Sequence, residues 1–123
     1  MHDRLIVTAA AWLEIVVGAL FLIVPDVLCW LLFAAKPEGV GVPLARFVGV
    51  ALFALGIGCL PSTNAGSRRN VVGLLVFNVG VAVLFVWVGI TMPHGFLLWP
   101  VVILHTVIGG ALVLNLLTNG WLP

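Results

Sequence analysis

TAAAWLEIVVGA, residues 8–19, is apolar enough to lie in lipid, yet it carries a carboxylate, Glu14, near its centre. A charge at the centre of a bilayer costs at least about 2.5–3.5 kcal/mol, so such a residue usually faces protein rather than acyl chains. Ala10, Glu14 and Gly18 are four residues apart and therefore share one helix face. Small residues on such a face allow a neighbouring backbone to approach closely. The stretch predicts a membrane-spanning helix whose Glu14 face packs against other helices.

The whole chain has the composition of a membrane protein. Of its 123 residues, 63% are hydrophobic and 7% are charged, and a soluble domain of this length could not bury so much apolar surface. The apolar runs lack the alternation of polar and apolar residues that marks barrel strands. The net charge of +1 is too small for a nucleic-acid surface. These features predict an all-α, polytopic protein whose surroundings are membrane lipids.

We predict one domain of four transmembrane helices in a compact bundle, because each crossing needs about 20 apolar residues. The predicted spans are about 5–24, 43–60, 71–91 and 96–117. Residues 27–33 are apolar but too few to span, so we expect them in the interface or in a re-entrant half-helix. Small residues predict close helix packing on all four spans: Ala10, Gly18, Gly49, Gly56, Gly73, Gly80 and Gly109.

Basic residues predict the orientation, because Lys and Arg are enriched in cytoplasmic loops. Arg4, Arg68 and Arg69 flank one side of the predicted bundle. Lys36 lies on the other side, with Arg46 near the outer edge of the second span. We therefore expect a multi-pass protein of the inner (plasma) membrane with both termini in the cytoplasm.

The polar residues inside the spans are the candidate proton or ligand site. Counting about 1.5 Å per residue puts Glu14 and His105 near the midplane and Asn78 one to two turns nearer the cytoplasm. Glu14 is either a proton acceptor with His105 as its partner or relay, or a hydrogen-bonded residue that fixes helix packing. Arg46 either extends to the headgroups or pairs with Glu14.

The other polar or aromatic candidates each have a structural interpretation as well as a functional one. His105 is expected to be a hydrogen-bonded interior histidine, since no Cys, Asp or second His lies at ligand spacing on its helix. The sequence thus predicts no metal site and no cofactor, although a bound lipid or other hydrophobic ligand is compatible with it. Asn78 is most simply an interhelical hydrogen-bonding residue. Trp12, at mid-depth, either lines a ligand cavity or packs against a neighbour or lipid.

One local pattern resembles the small multidrug resistance family of proton-coupled exporters. The pattern is Ala10-x-x-x-Glu14-x-x-x-Gly18-x-Leu20, with an echo at residues 109–117. The resemblance implies that Glu14 binds protons and a cationic substrate in competition, within an antiparallel dimer. The Trp-x-Gly-x-Gly-like stretch of that family is absent here, and the chain has no tyrosine.

A second pattern is similar to uncharacterised small four-helix proteins of bacterial inner membranes. The first span ends in GALFLIVP, residues 18–25, and the second opens with Ala45-Arg46-x-x-Gly49. This resemblance implies the fold and the location, and it implies no activity.

The function predicted first is a non-catalytic accessory or structural subunit, packed in a homo- or hetero-oligomeric membrane complex. No catalytic constellation is present in the sequence, and a solute pathway is normally lined by more polar side chains than this interior offers. One alternative is a proton-coupled small-molecule transporter that uses Glu14. A further alternative is a binder of a lipid, a quinone or a pigment.

Overall fold

The fold was obtained as a computed structural model, which describes residues 2–60 and 68–118. Within those ranges the chain forms five α-helices and no strand: α1 (His2–Ile23), α2 (Pro25–Phe33), α3 (Gly41–Cys59), α4 (Arg68–Thr91) and α5 (Leu98–Thr118). All except α2 are long and apolar enough to cross a membrane, which confirms the predicted all-α, four-span architecture. The observed ends lie within three residues of the predicted ones. Residues 61–67 of the predicted second loop lie outside the described ranges.

The predicted short segment is a helix, α2, which begins immediately after α1. Pro25 opens it, a position where the missing N–H costs nothing because the first N–H groups of a helix have no partner inside it. Ala34 ends it in the left-handed conformation, and its N–H donates to the Trp30 carbonyl at 2.9 Å. With nine residues, α2 is too short to span a membrane.

The distribution of polarity is the reverse of that in a soluble bundle. Among the described side chains, the buried polar ones are Glu14, Asn78, His105 and Asn115. Large apolar side chains such as Phe47 (69% exposed) and Ile90 (70% exposed) lie on the outer surface. An exterior of this kind is stable when hydrocarbon is the solvent, so the bundle suits a membrane.

The four long helices form two tightly packed pairs, α1 with α3 and α4 with α5, and the pairs touch each other much less. Glycine allows the close approach of α1 and α3. A Cβ atom on Gly18 would lie 2.6 Å from the Phe53 nitrogen, and one on Gly49 would lie 2.8 Å from the Gly18 oxygen. A Cβ atom on Gly56 would lie 2.6 Å from the Ala11 oxygen. No side chain fits at these points without separating the helices.

The other residues that were predicted to pack between helices are not all in helix contacts. Ala10 is buried in the core, and Gly109 packs at ordinary distance against Val79 of α4. Gly73 and Gly80, also predicted to pack, have no neighbouring atom within 4 Å of a Cβ position in the described chain. The interior face of α4 carries Leu74 and Asn78, and Gly80 lies about 200° further round the helix from Asn78. The heptad spacing of the two glycines therefore puts them outside the helix contacts seen here.

The two halves of the bundle differ in how well they are filled. The half that contains the start of α1 is closed by a continuous apolar cluster: Val7, Ala10, Ala11, Cys59, Val71, Leu74, Leu112 and Leu116. The other half is covered at its end by α2. The connector between α4 and α5 holds α2 there, because Gly95 N–H donates to the Leu32 carbonyl at 2.9 Å and Leu97 N–H to the Leu31 carbonyl at 3.0 Å. A Cβ atom on Gly95 would collide with the Leu31 oxygen, so this contact requires glycine.

Candidate ligand-binding cavity

A cavity of about 480 Å³ lies between the two helix pairs, and all five helices contribute to its wall. Ligand pockets in proteins usually measure about 300–1,000 Å³, so this volume suits a small molecule. Helix α2 covers one end through Leu28 and Leu32. Glu14, Phe77 and His105 line the other end. On α5 the lining runs from Val101 to His105, which corresponds to a length of about 6 Å, and Leu97 of the preceding connector extends it toward α2.

The wall is almost entirely apolar and partly aromatic. Four phenylalanines contribute to it, and two of them reach it from one helix, α4: Phe21, Phe33, Phe77 and Phe85. The lining also includes side chains that are well exposed on the outside of the bundle: Leu44 (60%), Val48 (42%), Leu84 (53%) and Leu104 (40%). The cavity therefore reaches the lipid-facing surface, and an apolar molecule in the bilayer has access to it without crossing water.

Among the residues that the structure describes, Glu14 is the one acidic side chain in this wall. It is 2% exposed, and its Oε1 atom has no hydrogen-bond partner. One interpretation of the sequence pairs Glu14 with Arg46. Arg46 is exposed, and no ion pair joins Arg46 to Glu14 within the described ranges. A buried polar atom without a partner costs about 1–3 kcal/mol. The fold therefore retains Glu14 at a cost to stability.

His105 is paired with Asn78 rather than with Glu14. Its Nδ1 lies 2.7 Å from the Asn78 Oδ1, and the Asn78 Nδ2 donates to the Leu74 carbonyl at 2.8 Å. Both residues are buried, and the hydrogen bond joins α4 to α5. Glu14 and His105 line the same cavity, but no hydrogen bond connects them in the described chain.

Asn78 contacts two successive turns of α5. Its oxygen lies 2.7 Å from His105 Nδ1, and a Cβ atom on Gly109, four residues after His105, would lie 3.9 Å from the Asn78 Cβ. The Asn78 side chain therefore packs beside the turn of α5 that follows His105 and reaches back to the histidine ring. The predicted depth of Asn78, one to two turns nearer the cytoplasm than His105, stays a prediction.

Trp12 does not contribute to the cavity. Its side chain is 54% exposed on the outside of the bundle. Trp12 lies two residues before Glu14, which corresponds to a turn of about 200° around the helix. When Glu14 faces the interior, Trp12 must face the lipid.

A second concave region of about 520 Å³ lies on the outer face of α4 and α5. It is lined by valines, by small residues that include Gly109 and Gly110, and by His105. The His105 side chain thus forms part of the wall between the inner cavity and this outer groove.

The sequence did not reveal the residues that shape the cavity. Phe77, Phe85 and Ala45 line it. Phe85 lies seven residues after Asn78 and shares its helix face, a signal that could have identified it. The apolar surroundings of Phe77 and Ala45 do not distinguish an inward side chain from one that faces lipid. Within residues 2–60 and 68–118, no group of three His, Cys, Asp or Glu side chains could hold a metal ion. Comparison with protein-family models, with curated proteins and with solved structures found no match to this chain.

Proposed function

We propose that this protein is a non-catalytic integral membrane protein that binds one apolar or amphiphilic molecule in the cavity between its helix pairs. The observation that carries the proposal is the unpartnered, buried carboxyl group of Glu14 in an otherwise apolar cavity of ligand size. A purely structural core would lose nothing by having leucine at this position, because no described residue bonds Oε1. A ligand supplies the missing partner for this oxygen and fills the volume beside it.

Filling the cavity is expected to exclude the ligand. Ala45 of α3 is buried and lines the cavity, whereas Ala54 on the same helix is exposed and does not. Ala45→Phe should reduce the small molecule that co-purifies with the protein by about tenfold or more. The phenyl group takes up volume that the ligand needs, and overpacking a confined site costs about 1–3 kcal/mol. Ala54→Phe adds the same side chain on the outside and is the matched control. The measurement is mass spectrometry of organic extracts from equal amounts of each purified protein.

The binding proposal fails if the two variants and the wild type carry the same amount of the same molecules. That result would identify the co-purified material as annular lipid from the outer surface. Folding is checked separately by the helical circular dichroism of each variant, so that loss of ligand is not confused with loss of structure.

A proton-coupled transporter is the second candidate. The observation that favours it is the asymmetry of the bundle: one half is closed by an apolar cluster, and the other half holds a cavity that ends at a carboxyl group. A carboxyl group at such a boundary can exchange a proton for a bound molecule when the closed half opens.

The accessory-subunit prediction also stays a proposal, supported by the outward position of Gly73 and Gly80, where a partner helix could approach.

For the location we propose the inner membrane, with both termini in the cytoplasm. Arg68 and Arg69 are exposed at the start of α4, and Lys36 is exposed in the connector at the opposite end of the bundle. The excess of basic residues on the side of the termini supports this orientation. A green fluorescent reporter fused to the C-terminus should fluoresce, and an alkaline phosphatase fused there should be inactive. The reverse pattern would place the C-terminus outside.

A further inference from the structure

The hydrogen bonds around His105 determine which of its nitrogens carries the proton. The Leu74 carbonyl can only accept, so the Asn78 side chain must direct its amide nitrogen to Leu74, at 2.8 Å, and its oxygen to His105. The Asn78 oxygen can also only accept, so His105 donates through Nδ1. In the neutral imidazole the other nitrogen, Nε2, is then an acceptor. A charged imidazole would be costly here, because His105 is 8% exposed and no acidic side chain pairs with it among the described residues.

The end of the cavity that is lined by Glu14 and His105 is therefore rich in hydrogen-bond acceptors. Nε2 of His105 makes no hydrogen bond within the described chain, and Oε1 of Glu14 makes none either. An ionised Glu14 offers acceptors only. A protonated Glu14 offers one donor and one acceptor, beside the Nε2 acceptor. In both protonation states of Glu14, the site has fewer hydrogen-bond donors than hydrogen-bond acceptors.

We propose that the cavity selects molecules whose polar group donates a hydrogen bond, with an aliphatic or aromatic hydroxyl as the preferred group, over ethers and ketones of the same size. The inference rests on the proposed binding function. A hydroxyl donates and accepts, so it complements the Glu14–His105 end in either protonation state of Glu14. An ether or a ketone only accepts, so it leaves the His105 Nε2 without a partner in both states and is repelled by an ionised Glu14. The apolar body of the molecule extends from this end toward α2.

Two isomers test the selectivity directly: 1-decanol and methyl nonyl ether. They have the same atoms and nearly the same volume and differ in the hydrogen-bond donor. Each is titrated into the wild-type protein in lipid nanodiscs, with its concentration expressed as a mole fraction in the bilayer. Binding is followed by the ¹⁵N resonances of labelled histidine, and His105 is assigned by the loss of its signals in His105→Phe. We expect the alcohol to bind roughly five- to tenfold more tightly, the effect of about one net hydrogen bond, and to shift the His105 Nε2 resonance.

Equal affinity of the two isomers, or tighter binding of the ether, would overturn the selectivity while leaving the binding function in place. Failure of both isomers to bind would instead overturn the binding function, and with it the selectivity. The same spectra test the structural premise without any ligand, because the free protein should show His105 protonated at Nδ1 and unprotonated at Nε2. The opposite tautomer would also overturn the inference.

Asn78 is a positioning residue in this scheme, since it acts on the ligand only through His105. Asn78→Leu removes the acceptor that holds the proton on Nδ1, so the preference for the alcohol should fall to about twofold or less as His105 samples both tautomers. A purely structural effect of the substitution would weaken both isomers equally and leave their ratio unchanged. Retention of the wild-type ratio in a folded Asn78→Leu protein would contradict the role of this hydrogen bond.

Discussion

Gly18→Ala is expected to destabilise the bundle by about 1–3 kcal/mol, the usual cost of overpacking, although alanine is the better helix former. The new methyl group would lie 2.6 Å from the Phe53 nitrogen and 2.8 Å from the Gly49 oxygen. Both atoms belong to the backbone of α3, so no side-chain rotation relieves the contact. The helices α1 and α3 must separate, and the most extensive interface of the bundle loosens. Unfolding by a titrated denaturing detergent, followed by circular dichroism, measures the change.

Gly58→Ala is the matched control, because Gly58 is also in a membrane-spanning helix but has no neighbouring atom within 4 Å of its Cβ position in the described chain. This substitution should leave the free energy of unfolding unchanged or raise it slightly through helix propensity. A Gly18→Ala protein as stable as Gly58→Ala would show that α1 and α3 do not pack as closely as described here.

Glu14→Leu is expected to have the opposite effect on stability and to abolish specific binding. Leucine removes a buried polar atom without a partner, so the free energy of unfolding should rise by about 1–3 kcal/mol. It also removes the group that anchors a ligand, so the co-purified molecule should be lost or bound without selectivity. An increase in stability together with a loss of binding is the signature of a residue kept for function. If Glu14 instead fixes helix packing, Glu14→Leu should destabilise the protein.

His105→Leu is the control for Glu14→Leu, because His105 has a partner. Its removal leaves the Asn78 oxygen buried without a donor, and the protein should lose about 1–3 kcal/mol of stability.

Glu14→Gln separates binding from proton coupling, since it preserves the shape of the side chain but cannot exchange a proton. A transporter should lose proton-driven flux in this variant, whereas wild-type flux would exclude a coupling role for Glu14.

The helices themselves could be predicted from the sequence, because their signals are local. Runs of about 20 apolar residues define the spans, and Pro25 marks the end of α1. The inward orientation of Glu14 could also be predicted, since Ala10 and Gly18 share its face and both are buried. These conclusions need no knowledge of how the helices are arranged.

The cavity and the partner of His105 depend on the relative positions of helices, which local patterns do not encode. Phe77 lines the cavity and Trp87 is exposed, yet both are aromatic residues with apolar neighbours on one helix. The pairing of Asn78 with His105 depends on how α4 packs against α5, which neither helix's own sequence specifies. Gly73 and Gly80 show the same limit, because a glycine pattern favours close packing without saying which surface is packed.

The binding proposal is tested most directly by native mass spectrometry of the protein extracted gently from its own membrane. The proposal predicts one small molecule bound per chain in the wild type and in Ala54→Phe, and an occupancy about tenfold lower or less in Ala45→Phe. A wild-type chain that carries no small molecule would contradict it. If such a ligand-free chain emerges with larger subunits in fixed stoichiometry, the protein is an accessory subunit and Glu14 has no ligand to anchor.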